Sequence, residues 1–206
     1  NNIKKKNLHL VDAAKNFTLK NLNLNSCPTE TKFFVSNKSR EIGKNFIHKD
    51  KFNIVLGVGS SGPTTKWGVA NYSNLINKLN LENNFYFYLL CGKNESNISN
   101  EIMDKIIKKN CSSLHNMTIK QLIPILTSCN MYVGNDSFGS HITSQSGIKS
   151  IVILLDSPKA YTDYSKNFCR IIPRGFDIDK IGHGSNADPN LVLVEDVIKN
   201  INRLKN

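Results

Sequence analysis

From Asn53 onward, short apolar runs alternate with helix-patterned stretches, and four of those runs stop at a polar cluster. Asn53–Val58, rich in β-branched residues, leads into Gly57–Gly68, and the aromatic run Phe85–Cys91 (FYFYLLC) leads into Gly92–Glu95. Met131–Val133 leads into Gly134–His141, and Ile151–Leu155 (IVILL) into Asp156–Pro158. Between them, Val69–Leu81, Ile98–Lys109 and Ile119–Cys129 carry apolar residues at helical spacing, and Val194–Leu204 ends the chain as an amphipathic helix. Thr118 stands where an N-cap is needed, and Pro124 predicts a kink or a displaced start for the helix that contains it. Strand, helix, strand with short connections requires parallel strands joined by helical crossovers. The expected fold is therefore α/β, a Rossmann-like open parallel sheet with flanking helices. The loops after the strands of such a sheet share one edge, so the four polar clusters are expected to converge on one site.

Residues 1–50 read differently. His9–Leu19 can form a helix, but Asn25–Lys51 is polar apart from the patch Phe33–Val35. The expected organisation is a connecting segment over 1–50 and a Rossmann-like domain over 51–206, with no full second domain. The basic start, Asn1–Asn7, is followed by no signal-peptide core, and no apolar run approaches the roughly 18 residues of a membrane span. The chain lacks an initiator Met, so upstream residues are expected to have been removed or to lie outside it. Its five cysteines, Cys27, Cys91, Cys111, Cys129 and Cys169, form no C-x-x-C pair, which argues against a zinc site or disulfide framework. Cys91 and Cys129 read as small core residues, and a reducing compartment fits. The formal net charge of +11 favours anionic partners: nucleic acid, an acidic membrane surface or phosphorylated ligands. An AT-rich genome gives the same excess of Lys and Asn without a functional cause.

GVGSSG, Gly57–Gly62, matches G-x-G-x-x-G, but Pro63 follows the third glycine and no acidic residue ends the next strand, so the dinucleotide fingerprint fails. The P-loop fails too, because no Lys-Ser/Thr follows Gly62. What remains is a loop whose backbone N–H groups, Ser60, Ser61, Thr64, Thr65 and Lys66 can reach a phosphate, or a plain strand-to-helix turn. GNDSFGSH, Gly134–His141, sets a carboxylate and a serine before a helix start, which suits a diphosphate at the helix N-terminus. Phosphates would repel Asp136, so it fits better as an acceptor from sugar hydroxyls. The alternative makes Asp136 or Ser137 an N-cap and packs His141 against the sheet. G-x-S-x-G is absent, and Asp136, Ser137 and His141 lie too close in sequence for a hydrolytic triad. Asp177-Ile178-Asp179 spells D-x-D, but far from the clustered loops and with no strand ending there, so no metal is assigned to it.

The order of these blocks resembles a known family. G-S-S…T-K-W-G (Gly59–Gly68) is followed by C-G-K-N-E (Cys91–Glu95), M-T-I-K-Q-L (Met117–Leu122) and Y-V-G-N-D-S-F-G-S-H (Tyr132–His141). S-G-I-K-S-I-V-I-L (Ser146–Leu154) and V-E-D-V-I (Val194–Ile198) complete the series. Over about residues 53–204 this resembles the C-terminal, donor-binding half of the ADP-heptose:lipopolysaccharide heptosyltransferases, metal-independent GT-B enzymes built from two facing Rossmann-like domains. The resemblance implies that Ser60, Ser61, Thr65 and Lys66 meet the donor diphosphate, Glu95 lies near the ribose and Met117 near the adenine. It further implies that Asp136 binds the transferred sugar, the Ser137–Phe138–Gly139 backbone holds phosphate and His141 supports that loop.

Two departures stand out. Lys66 directly precedes Trp67 where the family sets its Lys two residues before the Trp, and Phe138 replaces a common Gly. The implied reaction transfers a sugar, with inversion, from an ADP-linked or other nucleotide-diphosphate donor to a glycolipid or saccharide acceptor of lipopolysaccharide type. No cofactor is implied. The general base belongs to the N-terminal domain of such enzymes, so this chain alone is expected to bind donor but turn over poorly. The implied location is the cytoplasm, at the inner face of the inner membrane where the positive charge meets anionic lipid. The alternatives are a nucleotide-binding module without transferase activity and a basic nucleic-acid-binding domain. The second is disfavoured, and no nucleic acid is expected, because the FYFY aromatics fall in a buried strand rather than on a stacking surface.

Overall fold

The computed structural model describes residues 9–82, 84–108, 110–162 and 164–205. Six parallel strands form one sheet in the order β3-β2-β1-β4-β5-β6. They are β1 (Phe52–Gly57), β2 (Phe85–Leu90), β3 (Cys111–Ser113), β4 (Met131–Asn135), β5 (Lys149–Ile153) and β6 (Phe168–Ile171). The helices are α1 (Leu10–Leu22), α2 (Asn37–Phe46), α3 (Val69–Leu79), α4 (Ser96–Lys105), α5 (Ile119–Leu126), α6 (Phe138–Gln145) and α7 (Val194–Lys205).

Side chains alternate across each strand, and both faces of the sheet are covered, as a parallel sheet requires. Ile54, Leu56, Phe87, Val133 and Ile151 face a core shared with Trp67, Tyr72, Leu75 and Ile76 at α3, Ile102 of α4, and Val197 and Ile201 of α7. Val55, Tyr88, Tyr132 and Val152 face the other way, toward Leu122, Ile125 and Leu126 of α5 and Ile142 of α6. Cys91, Cys111 and Cys129 are buried among these side chains, and all the described cysteines are free thiols.

The central strands lie where the apolar runs predict them, with shifted ends: β4 extends to Asn135, and β5 starts at Lys149 and stops at Ile153. The helix expected over Ile98–Lys109 starts at Ser96 and stops at Lys105, where Ile106 turns extended (ψ 140°). Pro124 does not displace the start of α5. The Gln121 side chain reaches back to the Thr118 N–H (2.9 Å), and the helix closes two residues after the proline.

The edge strands β3 and β6 and the helix α2 have no counterpart in the sequence pattern. The stretch 25–51, expected as a polar connector, contains α2, which packs against α5. Its contact runs through Gly43, the one buried residue of the helix, where an added Cβ would fall 2.1 Å from the Pro124 carbonyl oxygen. Burial through a glycine leaves no apolar stripe to read. No helix among the described residues is long and apolar enough to cross a membrane.

Candidate functional site

The strand order reverses direction between β1 and β4, and a crevice opens at their carboxyl ends, where open α/β sheets take ligands. Gly57 and Gly134 face each other in the register of the two strands. The loop leaving β1 and the turn from β4 into α6 therefore form opposite walls of the crevice.

Asn135, fully buried at the end of β4, ties these walls together. Its Oδ1 accepts from the Trp67 N–H (3.0 Å) and its Nδ2 donates to the Val58 carbonyl (3.1 Å). The Tyr72 hydroxyl lies within hydrogen-bond distance of both Asn135 Oδ1 (3.1 Å) and the Gly57 carbonyl (2.8 Å). Trp67, itself wholly buried, donates its indole N–H to the Val192 carbonyl (2.9 Å) and so anchors the far end of the loop. Gly68 then turns the chain into α3 at φ 97°, a conformation that favours glycine.

Glu95 clamps the near end of the loop. Its carboxylate accepts from the Ser60 N–H (3.1 Å) and the Gly92 N–H (3.3 Å) and pairs with Lys66 Nζ (2.7 Å). Burial works to raise this carboxyl, but the hydrogen bonds from Lys66, Ser60 and Gly92 outweigh it and hold it below the usual carboxylate range. A side chain at Gly59 would strike Glu95 Oε2 at 2.4 Å, so this glycine serves a close approach and not a dinucleotide turn. A group with a depressed folded pKa stabilises the fold above its ordinary value of about 4.3 and loses that contribution as pH falls through the lower folded value. The Glu95→Gln variant is therefore expected to be less stable than the native chain near neutral pH and to converge with it in acid. Urea midpoints measured across that range check the expectation.

Two lobes meet at Ser60, Ser61, Ser137 and Phe138. The first, about 330 Å³, is mostly apolar, with Leu90, Cys91, Leu122 and Gly139 around the Glu95 carboxylate. The second, about 430 Å³, is lined mainly by residues with polar side chains, among them Thr64, Thr65, Asp136, His141, Asp156, Tyr161 and His183. Thr65 Oγ1 donates to the Gly62 carbonyl (2.8 Å) and sits 2.6 Å from Ser60 Oγ, which faces the Asp136 carbonyl (3.4 Å). The outer wall is pinned by Asp156, which accepts from Thr64 Oγ1 (2.5 Å) and the Ser185 N–H (2.9 Å). The Thr64 hydrogen bond leads the influences that keep its carboxyl below the usual range. Asp136 Oδ1 lies 3.3 Å from His141 Nε2, with the Asp136 side chain only 7% exposed.

The structure thus gathers Ser60, Ser61, Thr65, Glu95, Asp136, Ser137, Phe138, Gly139 and His141 around one crevice. Lys66 joins them through its pair with Glu95. Met117 does not line either lobe; it is half-buried and packs against the core on the face of the sheet that α5 covers. The D-x-D segment also sits differently from its sequence expectation. No strand ends at it, since β6 stops at Ile171, but it is not far from the clustered loops, because Asp179 pairs with Lys159, next to the loop that leaves β5. Asp177 is spent capping a turn through the Asp179 N–H (3.0 Å). Among the described residues, no group of three or more His, Cys, Asp or Glu side chains is arranged to hold a metal ion.

Leu122, Tyr161 and His183 escape sequence reasoning. Leu122 reads as an ordinary core position, and the other two lie in stretches with no regular period. The signal for His183 is its setting, Gly182-His183-Gly184-Ser185, a turn-rich stretch of the kind that carries function on a rigid scaffold.

A six-stranded parallel sheet of this order, with a bipartite crevice at its switch point, is the architecture of one half of a GT-B glycosyltransferase. The chain belongs to glycosyltransferase family 9 (heptosyltransferase), whose sequence profile matches residues 1–168. A comparison with curated proteins finds no match. Among solved structures, a glycosyl transferase family 9 protein from Veillonella parvula is similar at TM-score 0.79 and 15% identity, over 97% of this chain and 61% of that one. The E. coli heptosyltransferase WaaC with ADP is similar at TM-score 0.73 and 16% identity, over 97% of this chain and 57% of that one. The E. coli ADP-heptose lps heptosyltransferase II is similar at TM-score 0.69 and 18% identity, over 84% of this chain and 53% of that one. At these identities the likeness shows the fold, and the chain spans little more than half the length of each enzyme.

Proposed function

We propose that this chain, through residues 51–206, is the donor-binding half of a metal-independent glycosyltransferase that transfers a sugar of the heptose class from an ADP-linked donor. The observation that carries the proposal is the crevice itself, an apolar lobe joined to a polar lobe at Ser60–Ser61 and Ser137–Phe138. A nucleoside fits the apolar lobe, with the Glu95 carboxylate as acceptor for ribose hydroxyls. The diphosphate then lies across the junction, where the loop after β1 and the first turn of α6 supply hydroxyls and backbone N–H groups. The sugar falls in the polar lobe, beside Asp136.

In the reaction the acceptor hydroxyl oxygen attacks the anomeric carbon, the bond from that carbon to the diphosphate oxygen breaks, and a general base takes the hydroxyl proton. The base and the glycolipid or saccharide acceptor of lipopolysaccharide type belong to a partner half outside this chain. N–H groups and Lys66 stabilise the departing diphosphate. Lys66 stands 2.7 Å from Glu95, so binding shifts it from carboxylate to phosphate, or shares it between them. The site of action is cytoplasmic, against the anionic inner membrane surface, consistent with the charge of +11.

Calorimetric titration with ADP, UDP, GDP and CDP tests the proposal. ADP is expected to bind most tightly, and Lys66→Ala to weaken it about tenfold through loss of a charge-assisted contact. Absence of measurable binding by any of the four would overturn the proposal. A second reading, nucleotide binding without transfer, draws on Phe138, 42% exposed at the junction of the lobes where the family sets a small residue. Equal affinity for ADP and an ADP-sugar would favour it.

A further inference from the structure

Beside the polar lobe stands an aromatic group that the proposed function leaves unused. Tyr164 hydrogen-bonds through its hydroxyl to His141 Nδ1, and the two rings stack at 5.9 Å with an interplanar angle of 19°. Phe168, at the start of β6, meets both rings edge-on, His141 at 6.2 Å and Tyr164 at 5.3 Å. The imidazole is thus held in one plane from two sides. Its other nitrogen, Nε2, faces Asp136 Oδ1 at 3.3 Å, and that oxygen is buried with no hydrogen bond of good geometry.

We propose that Tyr164 is a positioning residue: its hydroxyl donates to His141 Nδ1 and thereby directs the Nε2–H at Asp136, orienting the carboxylate toward the transferred sugar. The proposal rests on the reading of the polar lobe as the sugar site. Its chemistry follows from proton bookkeeping. A neutral imidazole has one donor and one acceptor nitrogen, and whichever is occupied by a donor leaves the hydrogen on the other. Burial pushes the Tyr164 hydroxyl up to about 12, so at neutral pH it keeps its proton and has one to give. With Nδ1 accepting, Nε2 carries the hydrogen and contacts the carboxylate across the chain Tyr164–His141–Asp136. One Asp136 oxygen is steadied in this way, and the other is left to accept from a sugar hydroxyl. Sequence alone hides the arrangement, because Tyr164 lies 23 positions from His141 in a segment without periodicity.

The test uses the whole chain and its Tyr164→Phe variant, which keeps the ring stack and removes only the hydroxyl. Nitrogen-15 NMR of the histidine ring reports the tautomer, and calorimetry compares ADP with ADP-glucose as the sugar-bearing probe. Native His141 is expected to hold its proton on Nε2. In Tyr164→Phe the tautomer is expected to shift toward Nδ1–H, with ADP-glucose affinity falling about tenfold and ADP affinity unchanged. A merely structural role would move neither the tautomer nor the difference between the two ligands. An unchanged tautomer in the variant would overturn the proposal, as would an equal loss for both ligands. If neither ligand binds the native chain, the sugar-site reading fails, while the tautomer result still decides whether Tyr164 directs His141.

Discussion

Replacing Gly134 with alanine is expected to destabilise the chain by at least about 3 kcal/mol, the range of severe overpacking where no side chain can move aside. The added Cβ would lie 2.5 Å from the Gly57 carbonyl oxygen, 2.6 Å from its nitrogen and 2.7 Å from its Cα. All three are backbone atoms of β1, which is paired on its other side with β2 and cannot retreat without breaking the centre of the sheet. Gly62→Ala is the matched control. There the nearest neighbour is the Thr65 side chain at 3.3 Å and φ is −101°, so the substitution is expected to cost little. Urea unfolding of both variants, compared at equal slope, measures the difference. Near-equal midpoints would contradict the close approach of β1 and β4 that shapes the crevice.

Asn135→Ala is expected to have the next largest effect, about 3 kcal/mol, because two buried backbone groups lose their partners at roughly 1–3 kcal/mol each. The Trp67 N–H loses its acceptor and the Val58 carbonyl its donor, in a place closed to water. The consequence reaches past stability. Val58 and Trp67 are the two ends of the loop that carries Ser60, Ser61, Thr65 and Lys66, so the variant is expected to protect those amides less from hydrogen exchange than a core truncation of equal cost. Stability loss without faster exchange in the loop would mean that Asn135 supports the core alone.

How much of this was legible in the sequence follows from where each element sits. The strands β1, β2, β4 and β5 are buried on both faces and announce themselves as continuous apolar runs such as Ile54–Leu56 and Ile151–Ile153. The edge strands β3 and β6 do not, since Cys111–Ser113 and Phe168–Ile171 are short and leave polar positions partly open. Convergence of the loops on one crevice was readable because parallel strands put their carboxyl ends on one edge. The chemistry inside the crevice was only partly readable. Residue type and position drew attention to Ser60, Lys66, Asp136 and His141. That Glu95 would bind the Ser60 backbone amide 35 positions away was not readable, because sequence carries no record of which N–H groups a loop leaves free. For the same reason sequence does not reveal that Met117, expected near the adenine, lines neither lobe and packs half-buried against the core.

If the crevice between the loop after β1 and the first turn of α6 is a nucleotide-sugar site, the amides that line it respond to the donor nucleotide. The most direct measurement is an amide-resolved NMR titration of the chain with ADP. Shifts are expected to concentrate at Gly59, Ser60, Ser61, Glu95, Ser137, Phe138 and Gly139, which line or close the two lobes. Saturable shifts centred elsewhere, for example on the amino ends of the strands or on α7, would contradict the account.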